Sequence, residues 1–183
     1  MRSMSRLRSI GLGLIFTGAA LGSLAASPAH QLLKLGDATV SIEWDSSWQV
    51  GQTGTDAPPN SAEFHAKDPS QLQVMLSAHM PPDGAGVDEA MRSMVDGQAK
   101  DLLPQAVEKE LPVEAFKNGD THGYQVCATD RAPKPGEYKY ICQGMAATGN
   151  WVVGYTVLYN DPGKAQAKKA VKVLQAMAIS SDA

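Results

Sequence analysis

Ala38-Thr39-Val40-Ser41-Ile42-Glu43-Trp44 is followed at once by Asp45-Ser46-Ser47-Trp48. In the first seven residues Ala38, Val40, Ile42 and Trp44 alternate with Thr39, Ser41 and Glu43, a period of two that puts one apolar and one polar face on a strand. The same period returns downstream. Ala62, Phe64 and Ala66 alternate with Glu63, His65 and Lys67, Asp68-Pro69-Ser70 makes a turn, and Leu72, Val74, Leu76 and Ala78 resume the pattern, which predicts a hairpin. The intervening stretch from Gly51 to Asn60, rich in Gly, Thr and Pro, reads as a surface loop.

Pro81 to Gly86 interrupts the sheet pattern, and the spacing then turns helical. Val87, Met91, Met94, Val95, Gln98 and Leu102 form one predicted face, with Asp88 and Glu89 in the first turn, where the helix dipole favours acids. Pro104 stops this helix. A strand is expected over 106–116, and Asn118-Gly119 turns the chain into another that begins near Gly123. Two more, over 138–148 and 151–159, meet at Gly149-Asn150. In the last element Asp161 stands as cap and Pro162 at the first helical position. Ala167, Ala170, Val171, Leu174, Met177 and Ala178 make its apolar stripe. Lys164, Lys168 and Lys172 lie on its other side and read as a solvated face.

The order is strands, a helix, four strands and a helix, so the fold class is α+β: an antiparallel sheet flanked by helices. The opening strand, turn and tryptophan, Val40 to Trp48, resemble the start of the PsbP-like and DcrB-like superfamily. The resemblance implies an α-β-α sandwich over nearly the whole of residues 30–183. It also implies a binding module, since such relatives serve as assembly subunits, envelope proteins or chaperones.

Ahead of that domain, residues 1–29 have the three parts of a secretory signal. Arg2, Arg6 and Arg8 form a cationic start, Ile10 to Leu24 is apolar or small, and Ser27-Pro28-Ala29 offers a cleavage site, with Ala25 or Ala26 as alternatives. The apolar run of about 15 residues falls short of the roughly 20 that a spanning helix needs, so no stable membrane anchor is expected after cleavage. Lipid attachment needs a cysteine at the cleavage site, and the first cysteine is Cys127. Without the three arginines, 13 basic residues face 19 acidic ones, a net charge near −6 that does not suit a nucleic-acid partner. The expected location is the periplasm.

The two cysteines flank Pro133-Lys134-Pro135-Gly136 at equal distances. With Lys134 and Pro135 as the turn, Cys127 lies across from Cys142, Asp130 from Lys139 and Arg131 from Tyr138, the last two being favourable cross-strand pairs. Facing Cα atoms in a non-hydrogen-bonded pair are about 4.5 Å apart, within disulfide reach, and an exported chain meets oxidising conditions. A structural disulfide is therefore expected. A redox-active thiol would call for Cys-x-x-Cys spacing, which this chain lacks.

Other chemistry is thinly signalled. His65 and His79 share the polar face of their hairpin, but with His65 opposite Gln73 they stand roughly 20 Å apart at strand rise, too far for one zinc ion. His79-Met80 offers soft copper ligands only singly, and His30 would chelate copper through a free amino terminus if cleavage followed Ala29. There is no Gly-x-Ser-x-Gly elbow, His-Glu-x-x-His or phosphate loop, and Gly84-x-Gly86 lacks a third glycine. No catalytic residue, cofactor or metal is assigned. Trp44, Trp48, Trp151, Tyr155 and Tyr159 are candidates for a ligand groove, against a core role for aromatics at strand spacing. The expectation is an exported, non-enzymatic binding or adaptor module of the bacterial envelope whose partner is a protein or small ligand. The alternatives are a periplasmic immunity protein against a secreted toxin, and a small periplasmic enzyme or copper-binding protein.

Overall fold

A computed structural model describes residues 29–50, 60–79 and 86–181. Residues 1–28 of the leader, most of the loop before Asn60 and the break before Gly86, with Met80, lie outside the described residues, as does the side chain of Trp44. Strands β1 (Ala29–Leu35) and β2 (Ala38–Trp44) form a hairpin, and β2 buries Ala38, Val40 and Ile42 as its alternation predicts. β1, absent from the sequence expectation, adds Leu33 and Leu35 to the same core. Burial alternates along it, but the sequence hides the period, because the outward position next to Leu33 is another leucine, Leu32, which is 68% exposed.

At Asp45 the chain leaves this sheet for a second one. The Asp45 carboxylate accepts from the backbone N–H of Ser47 (2.8 Å), and its carbonyl accepts from that of Trp48 (2.9 Å). This aspartate turn re-aims the chain into β3 (Trp48–Val50). There follow β4 (Ser61–Ala66), β5 (Leu72–His79), helix α1 (Val87–Leu102), β6 (Glu114–Asn118), β7 (Thr121–Thr129), β8 (Tyr140–Thr148), β9 (Trp151–Tyr159), helix α2 (Lys164–Gln175) and β10 (Ala178–Ser181). The strands make two antiparallel sheets, β1-β2-β10 and β3-β4-β5-β9-β8-β7-β6. The α+β class stands, with two sheets where the sequence suggested one.

Alternation along β7 to β9 gives the larger sheet two covered faces. Met145 and Ala147 of β8 point with Val126 and Val152 toward Met91, Val95 and Ala99 of α1. Cys142 and Ala146 point the other way, with Val153, Tyr155 and Val157, toward Ala167, Ala170, Val173 and Leu174 of α2 and the small sheet. Met94, assigned to the apolar face of α1, is instead 49% exposed, because the i, i+4 row Met91, Val95, Ala99 faces the sheet and Met94 falls on its shoulder. No helix among the described residues is long and apolar enough to cross a membrane.

Three local expectations are corrected. The strand placed at 106–116 is confined to β6; before it, a short turn at Leu103–Gln105 and a single bridge from Ala106 to Asp130 lead into irregular chain. The Glu108 carboxylate accepts from the backbone N–H of Thr129 (3.0 Å), taking a donor that a continuing ladder would need. Next, Asp161 makes no side-chain cap; Asp161–Gly163 is a tight turn ahead of α2, and the Asp161 carboxylate is engaged elsewhere. Finally, α2 ends at Gln175, and Ala178 begins β10, which pairs with β2 through Ile179 and Val40. Met177 stays buried, but in the passage between helix and strand.

Candidate functional site

β7 and β8 pair in the register that the cysteine spacing predicts. Cys127 faces Cys142, their Cα atoms are 4.1 Å apart, and a disulfide joins them. The connecting turn sits one residue later than expected. The Glu137 N–H donates to the Lys134 carbonyl (3.0 Å), so Pro135 and Gly136 are the central residues, and Gly136 has the positive φ (90°) that a Pro-Gly type II turn requires. Asp130 meets Lys139 through its backbone N–H (2.8 Å), whereas the Lys139 ammonium turns to Asp161 (3.4 Å).

The disulfide lies on the α2 side of the sheet, and the space between it and the helix is a groove of about 500 Å³. Its volume is within the range of small-ligand sites. Gln125, Cys127 and Cys142 form the floor, and Lys164, Lys168, Val171, Lys172 and Gln175 of α2 form one wall. The lysine row read as a solvated face is exposed, and it also borders this groove. Below the floor, a polar chain fixes the amides. Tyr155 Oη donates to Gln125 Oε1 (3.2 Å), Gln175 Nε2 donates to the same oxygen (3.0 Å), and Gln125 Nε2 donates to Glu114 (3.1 Å). Burial pushes the Tyr155 phenol well above its ordinary range, so it stays a neutral donor. Its ring reaches this position because residue 144 is glycine; a Cβ there would collide with the ring and hydroxyl of Tyr155.

At the mouth, Tyr159 stacks on Tyr140 with centroids 5.0 Å apart, and the Lys164 ammonium sits 4.4 Å from the Tyr140 centroid. Tyr140 Oη donates to Asp161 (2.7 Å), which also pairs with Lys164 (2.9 Å). Hydrogen bonds from Lys164 and then Tyr140 hold the Asp161 carboxyl down at about 2. The neighbouring Tyr140 and Asp161 in turn push Lys164 above the usual lysine range. Asp161 is thus shared by Lys164 and Lys139, so Lys164 already has a counter-ion, and the groove cations without one among the described residues lie further along α2.

The four candidate aromatics whose side chains are described, Trp48, Trp151, Tyr155 and Tyr159, do not assemble into one groove. Trp48 is 3% exposed and stacks on Phe64 (5.4 Å) in β3–β4, at the far side of the large sheet from β7. Tyr155 is a core residue beneath the groove, Trp151 opens β9 packed against the main core, and of these four side chains only Tyr159 lines the groove. Trp151, Tyr155 and Tyr159 share one face of β9 but stand four residues apart, roughly 13 Å at strand rise, so each meets different neighbours. Gln125 and Gln175 carried no signal, because a lone glutamine on a strand or helix announces nothing about its neighbours.

The histidines stay apart. His65 faces Gln73 and donates from Nδ1 to the Ala66 carbonyl (2.7 Å), while His79 Nε2 shares a hydrogen bond with Ser77 Oγ (2.9 Å). His30 is exposed in β1, opposite Glu43. Among the described residues no group of three or more His, Cys, Asp or Glu is arranged to hold a metal ion.

No family model and no curated protein matches the chain in sequence. Its architecture does match solved structures. Cyanobacterial PsbP (CyanoP) from Synechocystis sp. PCC 6803 superposes with a TM-score of 0.56 over 88% of this chain and 98% of that one, at 8% identity. The fold is PsbP-like. Saccharomyces cerevisiae Mog1p, a Ran-binding protein, is similar over 83% of this chain and 96% of its own (11% identity, TM-score 0.48). So is LpqN, involved in cell envelope biogenesis in Mycobacterium tuberculosis, over 83% and 91% (15% identity, TM-score 0.49). Within the PsbP-like frame of this chain, the groove lies between its second helix and the disulfide-bearing strands.

Proposed function

We propose that this chain is exported to the bacterial envelope and acts there, as a single domain from residue 30 onward, as a non-enzymatic binding or adaptor module. One observation carries the reading: the groove beside Cys127–Cys142, whose floor is locked by the disulfide and whose amides are held by the Tyr155–Gln125–Gln175 hydrogen bonds. A preset surface of this kind binds without first ordering itself. The leader, with its cationic, apolar and small-residue parts, supports export, and the disulfide suits an oxidising compartment.

The test has two arms. Fractionation and mass measurement of the exported form should recover a soluble periplasmic chain without Arg2, Arg6 and Arg8. A photoreactive residue placed at Lys168 should capture a discrete envelope component, whereas the same residue at Lys100 on α1 should not. An intact leader on a cytoplasmic product, or equal capture from both positions, would overturn the reading.

A further inference from the structure

We infer that the groove takes an acidic, extended peptide segment of a partner protein, with carboxylates at alternate positions; this rests on the reading of the groove as the binding surface. The charge pattern along α2 is the starting point. Lys164 is paired with Asp161, and Lys169, on another side of the helix, with Asp45 (2.6 Å). Lys168 and Lys172, which border the groove, have no ion-pair partner among the described residues. Among the described residues no Asp or Glu lines the groove, although the chain as a whole carries 19 acidic against 16 basic residues. A cationic wall on an acidic protein is where a negatively charged ligand gains most from electrostatic complementarity.

The spacing selects the kind of anion. Residues four apart on a helix are separated by roughly 6 Å along its axis, so the row from Lys164 to Lys172 runs roughly 12 Å. Alternate residues of an extended chain are separated by about 6.7 Å, so carboxylates at i and i+2 keep step with Lys168 and Lys172. A single phosphate would leave part of that row unused. The floor suits a peptide as well, since the second N–H of the Gln125 amide, the Gln175 side-chain oxygen and the Tyr159 hydroxyl are groups that bond peptide C=O and N–H. Val171 and the disulfide supply apolar contact between them.

The probe is a labelled synthetic peptide with glutamate and threonine alternating, titrated by fluorescence anisotropy into the mature oxidised protein at low salt. Exchanging two partly exposed ion pairs is worth about tenfold in affinity, so Lys168→Gln with Lys172→Gln should weaken binding by about that factor. Lys100→Gln with Lys109→Gln, exposed residues outside the groove lining, should leave it unchanged. A peptide of the same composition with its glutamates contiguous should bind more weakly, and raised salt should weaken both. No binding, equal loss in the Lys100 and Lys109 pair, full competition by inorganic phosphate, or preference for phosphatidylglycerol vesicles would each overturn the inference. Capture from position 168 persisting beside any of these results would leave the groove as the binding surface and remove only its acidic-peptide occupant. Loss of that capture too would remove the reading beneath it.

Discussion

Cys127 and Cys142 are bonded across β7 and β8 from two different environments: Cys142 is 4% exposed against the main core, while Cys127 is exposed at the groove floor. The bridge closes a separation of 15 residues, worth about 3 kcal/mol in the chain-entropy model. Either Cys→Ser variant should therefore lower the denaturant midpoint substantially. Cys142→Ser should lower it further, because it also places a hydroxyl in the core. Equal midpoints for oxidised and reduced wild-type protein would count against a stabilising bridge.

Gly144 and Tyr155 are coupled in the same region. A methyl group at 144 would push the Tyr155 ring and its hydroxyl away from Gln125, and such overpacking costs about 1–3 kcal/mol. Gly144→Ala should destabilise by that order. Combined with Tyr155→Leu, which removes the colliding ring, the pair should cost less than the sum of the single changes. Additive losses in chemical denaturation would show that the ring and residue 144 are not in contact.

The elements legible in the sequence are those whose cause is local. Alternation found β2, β4 and β5, the Gly149-Asn150 turn found the β8–β9 hairpin, and equal cysteine spacing found the β7–β8 register even though its own turn sits one residue later. The elements that escaped have causes elsewhere in the chain. β10 exists because Val40 offers a pairing edge to Ile179, and the strand expected at 106–116 is cut short by the Glu108 carboxylate. The groove was illegible for the same reason. Its lysines were visible as a row, but only the crossing of α2 over β7 and β8 sets them beside Gln125 and the disulfide.

Asp45 ties the turn between the two sheets to α2, and its carboxyl is held at about 2, first by the hydrogen bond from Lys169 and then by the Ser47 N–H. The Asp45 side chain is 18% exposed and that of Lys169 is 60% exposed. Since the folded group ionises below its ordinary value of 3.8, its contribution is complete above that pH and is lost as the pH falls toward 2. Melting temperature should drop over this window, and Lys169→Met should make the drop shallower by lowering stability at pH 7 while leaving it nearly unchanged near pH 2. An unchanged slope in thermal melts from pH 5 to pH 2 would remove Lys169 as the cause.

Thr121 is the one buried polar residue in the described core, at 4% exposure. Its hydroxyl donates to the Met177 carbonyl (2.7 Å) and lies 2.9 Å from Thr148 Oγ1. A hydroxyl has a single proton, so with Thr121 giving its own to the carbonyl, Thr148 must be the donor to Thr121. This chain of bonds fixes the passage from α2 to β10 directly after Gln175, and hence one end of the groove wall. Thr121→Val keeps the shape but leaves the Met177 carbonyl and the Thr148 hydroxyl without their partner, an imbalance of about 1–3 kcal/mol. Thr121→Ser keeps the bonds and loses only a methyl group, so it should retain more of the stability. Hydrogen exchange should then quicken around residues 175–179 in the valine variant more than in the serine variant, and groove binding should weaken in the same order. If the two variants are equally stable and exchange alike, the hydroxyl is not what anchors the end of the helix.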